Sequence, residues 1–336
     1  MARAHRHLLV RLFVGFFVRL FRLRIPSAPR DFDLDENSGE KRSVEASEVE
    51  TEERFEVVAN AMTFRALATG DPGHRPVLFL HGFPQTSTSW RSTMTALDGG
   101  AYRSIAFDQR GYSPGARPHS VGDYKIDGLV ADVLAVADAL GVERFDLVGH
   151  DWGAMVAWIL AFESPERVRT LTAVSVPHPG SFGAVLRSGE EDQARRSSYI
   201  GVFREPGGVA EKILLGDDGS GAGLRRMFTA SGMPDDAPEV DEFVAALSAP
   251  GALTAALNWY RAMPQNFGIE VGRVTVPTLF VWGDEDIAVG RTSAEGNSRW
   301  VAGPYRFEIL HGVGHWIPET ASKQLSGLLL DHLSLH

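Results

Sequence analysis

The chain contains no cysteine, so a disulfide, a thiolate metal centre and a cysteine nucleophile are all excluded, and its composition is compatible with a reducing cytoplasm. It also lacks net positive charge. Lys and Arg number 33 against 43 Asp and Glu, a formal balance of −10, which argues against nucleic acid as a partner because a phosphate backbone needs a basic face. An uninterrupted membrane-length apolar run is missing as well. The stretch LLVRLFVGFFVRLFRLR (8–24) is broken by Arg11, Arg19, Arg22 and Arg24, and its longest charge-free run is 12–18, far short of the roughly 20 residues that cross a bilayer. There is no internal repeat.

The charge that is present comes in blocks. Residues 1–30 hold seven arginines and no acid, whereas 31–56 hold eleven acids against three bases. On a helical wheel Arg11, Arg19 and Arg22 share one side, with Phe13, Phe16, Phe17, Leu20 and Phe21 over much of the rest. Residues 8–25 therefore read as a basic amphipathic helix able to lie peripherally on an anionic membrane surface, the alternatives being a disordered extension or sequence upstream of the true start. RLFRLRIPSAP offers no small-x-small cleavage site for a secretory signal. Residues 31–54, acidic and poor in large apolar side chains, read as a solvated linker. The expectation is a cytoplasmic protein, with any membrane contact peripheral and through 8–25.

From Phe55 onward short apolar runs alternate with helical periodicity, the signal of α/β architecture. Strands are expected at 55–60, 62–69, 77–80, 104–108, 145–149, 171–176, 278–282 and 305–310, most of them buried and parallel, with helices at 121–140, 152–163 and 319–332. Residues 178–265 break the alternation. Helical patterns with Gly- and Pro-rich joints and no clear strand predict a helical cap inserted into a core made of 55–177 and 266–336. Such an insertion would cover the carboxyl ends of the parallel strands, where open α/β sheets bind ligands.

GHDWGA (149–154) has the glycine spacing of a nucleophile elbow, a sharp strand-to-helix turn whose flanking positions must be free of side chains. Aspartate, Asp151, occupies the place normally held by serine. The partners of an elbow follow in the order acid, then histidine. Asp284 and Asp286 are the candidate acids in VWGDEDIAVG, and His315 lies just after the last strand in LHGVGHWIPE. Upstream, FLHGFPQT makes a tight turn after the third strand, so the oxyanion hole is expected from the backbone N–H groups of Phe83 and Trp152. His81 and His150 read as structural residues of the turn and the elbow.

HGFP at 81–84, DQRGYSPG at 108–115, GHDWGA at 149–154, WGDED at 282–286 and GHW at 314–316 together resemble the α/β-hydrolase-fold epoxide hydrolases, from about Phe55 to the C terminus. The resemblance implies a central, mostly parallel sheet flanked by helices, with a helical cap. It makes Asp286 the acid of the triad and Asp284 a turn residue. YIGVFREPG and NWYRAM resemble the cap segments carrying that family's epoxide-activating tyrosines, which makes Tyr199 and Tyr260 the proton donors and, with Trp152, substrate-binding residues. A cis peptide before Pro84 is implied too.

The chemistry accounts for the aspartate. Serine attacking a saturated carbon would leave an inert ether, whereas a carboxylate leaves an alkyl ester that water can cleave. Aspartate is also ionised at neutral pH without help, which frees the histidine to act as general base on water. Epoxides and haloalkanes both fit a carboxylate nucleophile. An opened epoxide needs a proton donor, which Tyr199 and Tyr260 supply, and Phe83 stands where haloalkane dehalogenases commonly carry a halide-binding Asn. The expected activity is hydrolysis of an epoxide to a vicinal diol, with substrate and water as the only partners and neither cofactor nor metal. Haloalkane dehalogenation on the same triad is the alternative, followed by a non-catalytic ligand receptor.

Overall fold

The computed structural model describes residues 52–266 and 270–336; the basic segment 1–30 and the linker 31–54 except for its last three residues lie outside them. β1 (Glu53–Ala59) and β2 (Met62–Thr69) form an antiparallel hairpin. Asn60 and Ala61, which join them, both have positive φ (49° and 57°), the signature of the two-residue turn whose twist matches paired strands. β1 starts at Glu53, inside the stretch read as linker, because its register with Ala68 continues to that residue.

β3 (Arg75–Leu80), β4 (Tyr102–Phe107), β5 (Phe145–His150), β6 (Val168–Val174), β7 (Thr278–Gly283) and β8 (Tyr305–Leu310) complete an eight-stranded sheet in the order β1-β2-β4-β3-β5-β6-β7-β8. β3 to β8 run parallel and β2 joins β4 antiparallel. β5 and β7 are buried along their whole length, which is why β7 reads as a nearly continuous apolar run; the buried Asp146 of β5 is paired with Arg75 at 2.6 Å. One face of the sheet packs on helices Ile126–Ala139 and Trp152–Glu163, the other on Arg91–Leu97 and Ser322–Leu335. Trp152–Glu163 is apolar on nearly every side and buried from Gly153 to Ala161 except at Met155, as a helix sandwiched between sheet and neighbours should be.

The chain leaves β3 toward β4 on one side and returns to β5 on the other. This reversal opens a crevice beyond the carboxyl ends of β3 and β5, where HGFP and GHDWGA both emerge. Between β6 and β7 the described residues run through helices from Pro179–Ser188 to Ala252–Ala262, without a strand.

Two expected helices are divided. A 3-10 turn at Val121–Tyr124 ends at Lys125, whose extended backbone (ψ 151°) separates it from Ile126–Ala139; the buried Tyr124 donates its hydroxyl to Pro118 O at 2.8 Å and holds that turn apart. The last expected helix begins early as Ile317–Thr320, and breaks at Ala321 before Ser322–Leu335. Among the described residues no single helix is long and apolar enough to cross a membrane.

Candidate active site

β5 delivers the chain into the elbow, where Asp151 has φ 52° and ψ −119°, a conformation unfavourable to any residue with a side chain. It persists because its surroundings admit nothing else. A Cβ on Gly149 would meet the backbone of Gly153, and one on Gly153 would meet the carbonyl of Leu80 at the end of β3. The turn is thus pressed against β3, and the Asp151 carboxylate points at the neighbouring HGFP loop, where Phe83 N donates to Oδ1 at 2.9 Å. The Phe83–Pro84 peptide is cis. Trp152 begins the helix that follows, so its amide lies at the same helix N-terminus.

His315, in the loop after β8, reaches the other carboxylate oxygen, with Nε2 3.6 Å from Asp151 Oδ2. Its Nδ1 donates to Asp286 Oδ2 at 2.9 Å. Asp286 is fully buried, and its second oxygen accepts from the amides of Ala288 and Val289 at 2.7 and 3.0 Å. Asp284 turns away instead and pairs with His311 Nδ1 and Gly312 N, both at 2.8 Å. The structure therefore brings Asp151, His315 and Asp286 together and leaves Asp284 in an exposed turn.

Electrostatics follow from this enclosure. Burial alone lowers the pKa of an imidazolium, yet Asp286 and Asp151 on either side raise that of His315 to about 10. Burial likewise disfavours the Asp151 carboxylate, but His315 and the Phe83 amide hold its pKa below the ordinary range. These shifts favour the Asp151 carboxylate and the His315 imidazolium at neutral pH.

Tyr199 opens helix Tyr199–Arg204 and Tyr260 lies in helix Ala252–Ala262; their ring centroids are 6.2 Å apart. Trp152 packs edge-on against Tyr260 at 5.2 Å, and Phe83 and Phe203 do so at 5.3 and 5.1 Å. Burial raises the pKa of both phenols, Asp151 adding to the effect in each, Asp286 at Tyr199 and Tyr199 at Tyr260, so both remain proton donors throughout the neutral range. With Asp151 they line a pocket enclosing about 450 Å³ of empty space, part of it open to solvent, whose other walls include Met155, Val176, Phe182, Ile200, Met263 and Val289. Among the described residues no group of three or more His, Asp or Glu side chains is arranged to hold a metal ion.

Sequence reasoning missed the residues that hold this centre from outside. Gln193, buried in helix Glu191–Arg196 of the insertion, accepts from Gly290 N and Ser293 Oγ at 2.9 Å each and donates to Ala288 O at 2.8 Å. Arg196 donates to the carbonyl of Asp286 itself. A glutamine in a short polar helix carries no pattern that separates it from surface.

The chain matches the model of the alpha/beta hydrolase fold family over residues 75–322. It is 31% identical to Epoxide hydrolase A of Mycobacterium tuberculosis over 312 residues, 83% of this chain and 96% of that protein. Epoxide hydrolase 4 of Mus musculus is 32% identical over 278 residues, 80% of this chain and 76% of that protein. The crystal structure of Epoxide Hydrolase A from Mycobacterium thermoresistibile superposes with a TM-score of 0.74 at 30% identity, covering 84% of this chain and 98% of that one. With its sheet order and its elbow, the chain belongs to the α/β-hydrolase-fold family of epoxide hydrolases.

Proposed function

We propose that the chain hydrolyses an epoxide to a vicinal diol in two half-reactions on one carboxylate, with residues 55–177 and 266–336 as the catalytic core and 178–265 as a cap supplying the phenols. The observation that carries this reading is a buried Asp151 carboxylate at the elbow, sharing its pocket with two protonated phenols. Its two oxygens are not equivalent. Oδ1 is held by the Phe83 amide, so it becomes the carbonyl oxygen of an ester, while Oδ2 attacks the epoxide carbon. The C–O bond of the ring breaks, and Tyr199 and Tyr260 stabilise the alkoxide and donate its proton.

Alkylation removes one of the two negative charges that keep His315 protonated, so its pKa falls at the moment a base is needed. The proton it carried restores the phenol, and neutral His315 then takes a proton from the water that attacks Cγ of the ester. Charge developing on Oδ1 is met by the Phe83 and Trp152 amides. Collapse of the tetrahedral intermediate breaks the Cγ–Oδ2 bond; the departing alkoxide takes the hydrogen of the added hydroxyl, which releases the diol, returns Asp151 as a carboxylate and leaves His315 protonated as at the start.

The test offers a panel of aryl and alkyl epoxides beside bromo- and chloroalkanes, following diol and free halide together, with His315→Gln used to trap the ester for mass analysis. Diol from the wild type and a substrate-sized adduct on Asp151 in the variant are expected. Halide without diol would overturn the reading in favour of dehalogenation, and reversible binding without turnover would favour a receptor. The finer reading of a cytoplasmic protein, held peripherally at an anionic membrane by 8–25, rests on sequence alone; salt-sensitive vesicle binding that disappears with residues 1–43 is its test.

A further inference from the structure

Behind the elbow runs a buried chain of polar side chains that the two half-reactions leave unused. Glu319, in helix Ile317–Thr320, places Oε1 2.6 Å from Gln85 Nε2. Gln85 Oε1 lies 2.8 Å from His150 Nδ1, and His150 Nε2 lies 2.9 Å from the backbone carbonyl of His315; the N and O ends of a side-chain amide have the same shape and are told apart by their partners. Gln85 and His150 are wholly buried, and the second carboxyl oxygen of Glu319 is sealed from solvent without a hydrogen-bond partner. An ionised carboxylate is poorly served there, because burying one without a cation or further donors is costly.

Counting hydrogens along the chain fixes the protonation. His150 Nε2 faces a carbonyl, which only accepts, so it must carry a hydrogen. If His150 is neutral, Nδ1 is then a lone pair and must face the NH₂ of Gln85. The Gln85 amide must then be turned over from the orientation with Nε2 at Glu319, so that its carbonyl faces Glu319, and two oxygens at that 2.6 Å separation require a hydrogen between them. The orientation with Oε1 at His150 requires a His150 imidazolium, since both ring nitrogens would then face acceptors, and leaves Glu319 Oε1 an acceptor in either protonation state. That cation would lie against the positive His315, whose ring centroid is 4.9 Å away. The only bond favouring the second arrangement is the long one from Gly82 N to Gln85, at 3.3 Å.

We propose that Glu319 is an un-ionised positioning acid: it donates its hydrogen to Gln85, Gln85 donates to His150, and His150 donates to the carbonyl of His315. The chain keeps His150 neutral, so that it does not compete with His315 for Asp151, and fixes the backbone from which His315 projects. Surrounding charges agree. Burial pushes the pKa of Glu319 up to about 8, with Glu239 of the insertion acting in the same direction and Gln85, the Glu319 backbone amide and His315 against it. Arg91, on the helix packed beside Glu319, is engaged by Glu52 and Glu242. Burial and the His315 charge lower the pKa of His150 to about 4, Asp151 and Asp286 opposing them.

The kinetic consequence rests on the proposed hydrolysis, whereas the protonation itself can be read without it. Infrared spectra of the full chain at pH 7 should show a protonated-carboxyl band missing from Glu319→Gln, and nitrogen NMR should show His150 neutral with its hydrogen on Nε2. A carboxylate at 319 or an imidazolium at 150 overturns the proposal whether or not any epoxide is turned over. In turnover, Glu319→Gln retains a donor toward Gln85, so it should keep the neutral-pH rate and lose an alkaline limb centred near pH 8 in the wild type. Glu319→Leu should slow turnover about tenfold. A wild-type alkaline limb unchanged in Glu319→Gln, or a folded Glu319→Gln that is inactive at pH 7, also overturns it. Should Glu319→Leu not fold, Gln85→Met breaks the same chain from its middle, and a rate equal to wild type there is a further contrary result.

Discussion

Asp151 and His315 were legible because their meaning lies in local spacing: glycines two positions on either side of the aspartate, and a histidine just beyond a strand. Choosing Asp286 over Asp284 took the resemblance, and the geometry shows why proximity in sequence could not do it, since His311 and Gly312 occupy Asp284. Gln85 and Glu319 stayed invisible. They bond across a separation of 234 residues, and neither residue type in isolation signals a buried partner. At this scale the phenols make a sharp prediction. Tyr199→Phe and Tyr260→Phe should each lower kcat for epoxide opening by about a hundredfold, and the double variant should abolish it, while trapping of a reactive haloalkane on Asp151, which needs no proton, should survive. Equal loss with both substrates would indicate a packing role instead.

The strands were legible from apolar runs, and the helices divided at Lys125 and Ala321 were not, because a one-residue break in an otherwise helical pattern is decided by tertiary packing. The loop Gly283–Gly290 that carries Asp286 is an element set almost wholly by such contacts. Helix Glu191–Arg196 holds it through Gln193 and Arg196. Gln193→Leu leaves Ala288 O and Gly290 N buried without that partner, each costing about 1–3 kcal/mol, so the melting temperature should fall. Because Asp286 steadies His315, ester hydrolysis should slow more than ester formation. Rapid-quench mass analysis should then find the Asp151 ester accumulating in this variant. A lower melting temperature with both half-reactions unchanged would mean that Gln193 only supports the fold.

For the whole molecule, stability should be greatest near neutrality and fall in both directions. His150, His178 and His332 are buried with pKa values lowered from 6.5 to about 4, burial being the main cause in each. The unfolded chain takes up their protons first, so stability present above pH 6.5 is lost as pH falls toward 4, on the order of 3 kcal/mol for each. His315 has the opposite sign: raised to about 10 by Asp286 and Asp151 against burial, it contributes fully below pH 6.5 and loses that contribution as pH rises through 10. Denaturant titrations across this range should show His178→Asn flattening the acid limb and His315→Gln the alkaline one; limbs unaltered by either change would assign them to other groups. The sequence pattern predicts an insertion at 178–265, and the described residues between β6 and β7 are helical, yet no pattern showed that the second of these helices holds the loop of Asp286. That helix makes the insertion more than an exchangeable lid. Grafting the segment between β6 and β7 from one relative onto another would transplant the anchor of the triad acid along with the substrate pocket, so a chimera altered for selectivity would have its turnover reset by the same exchange.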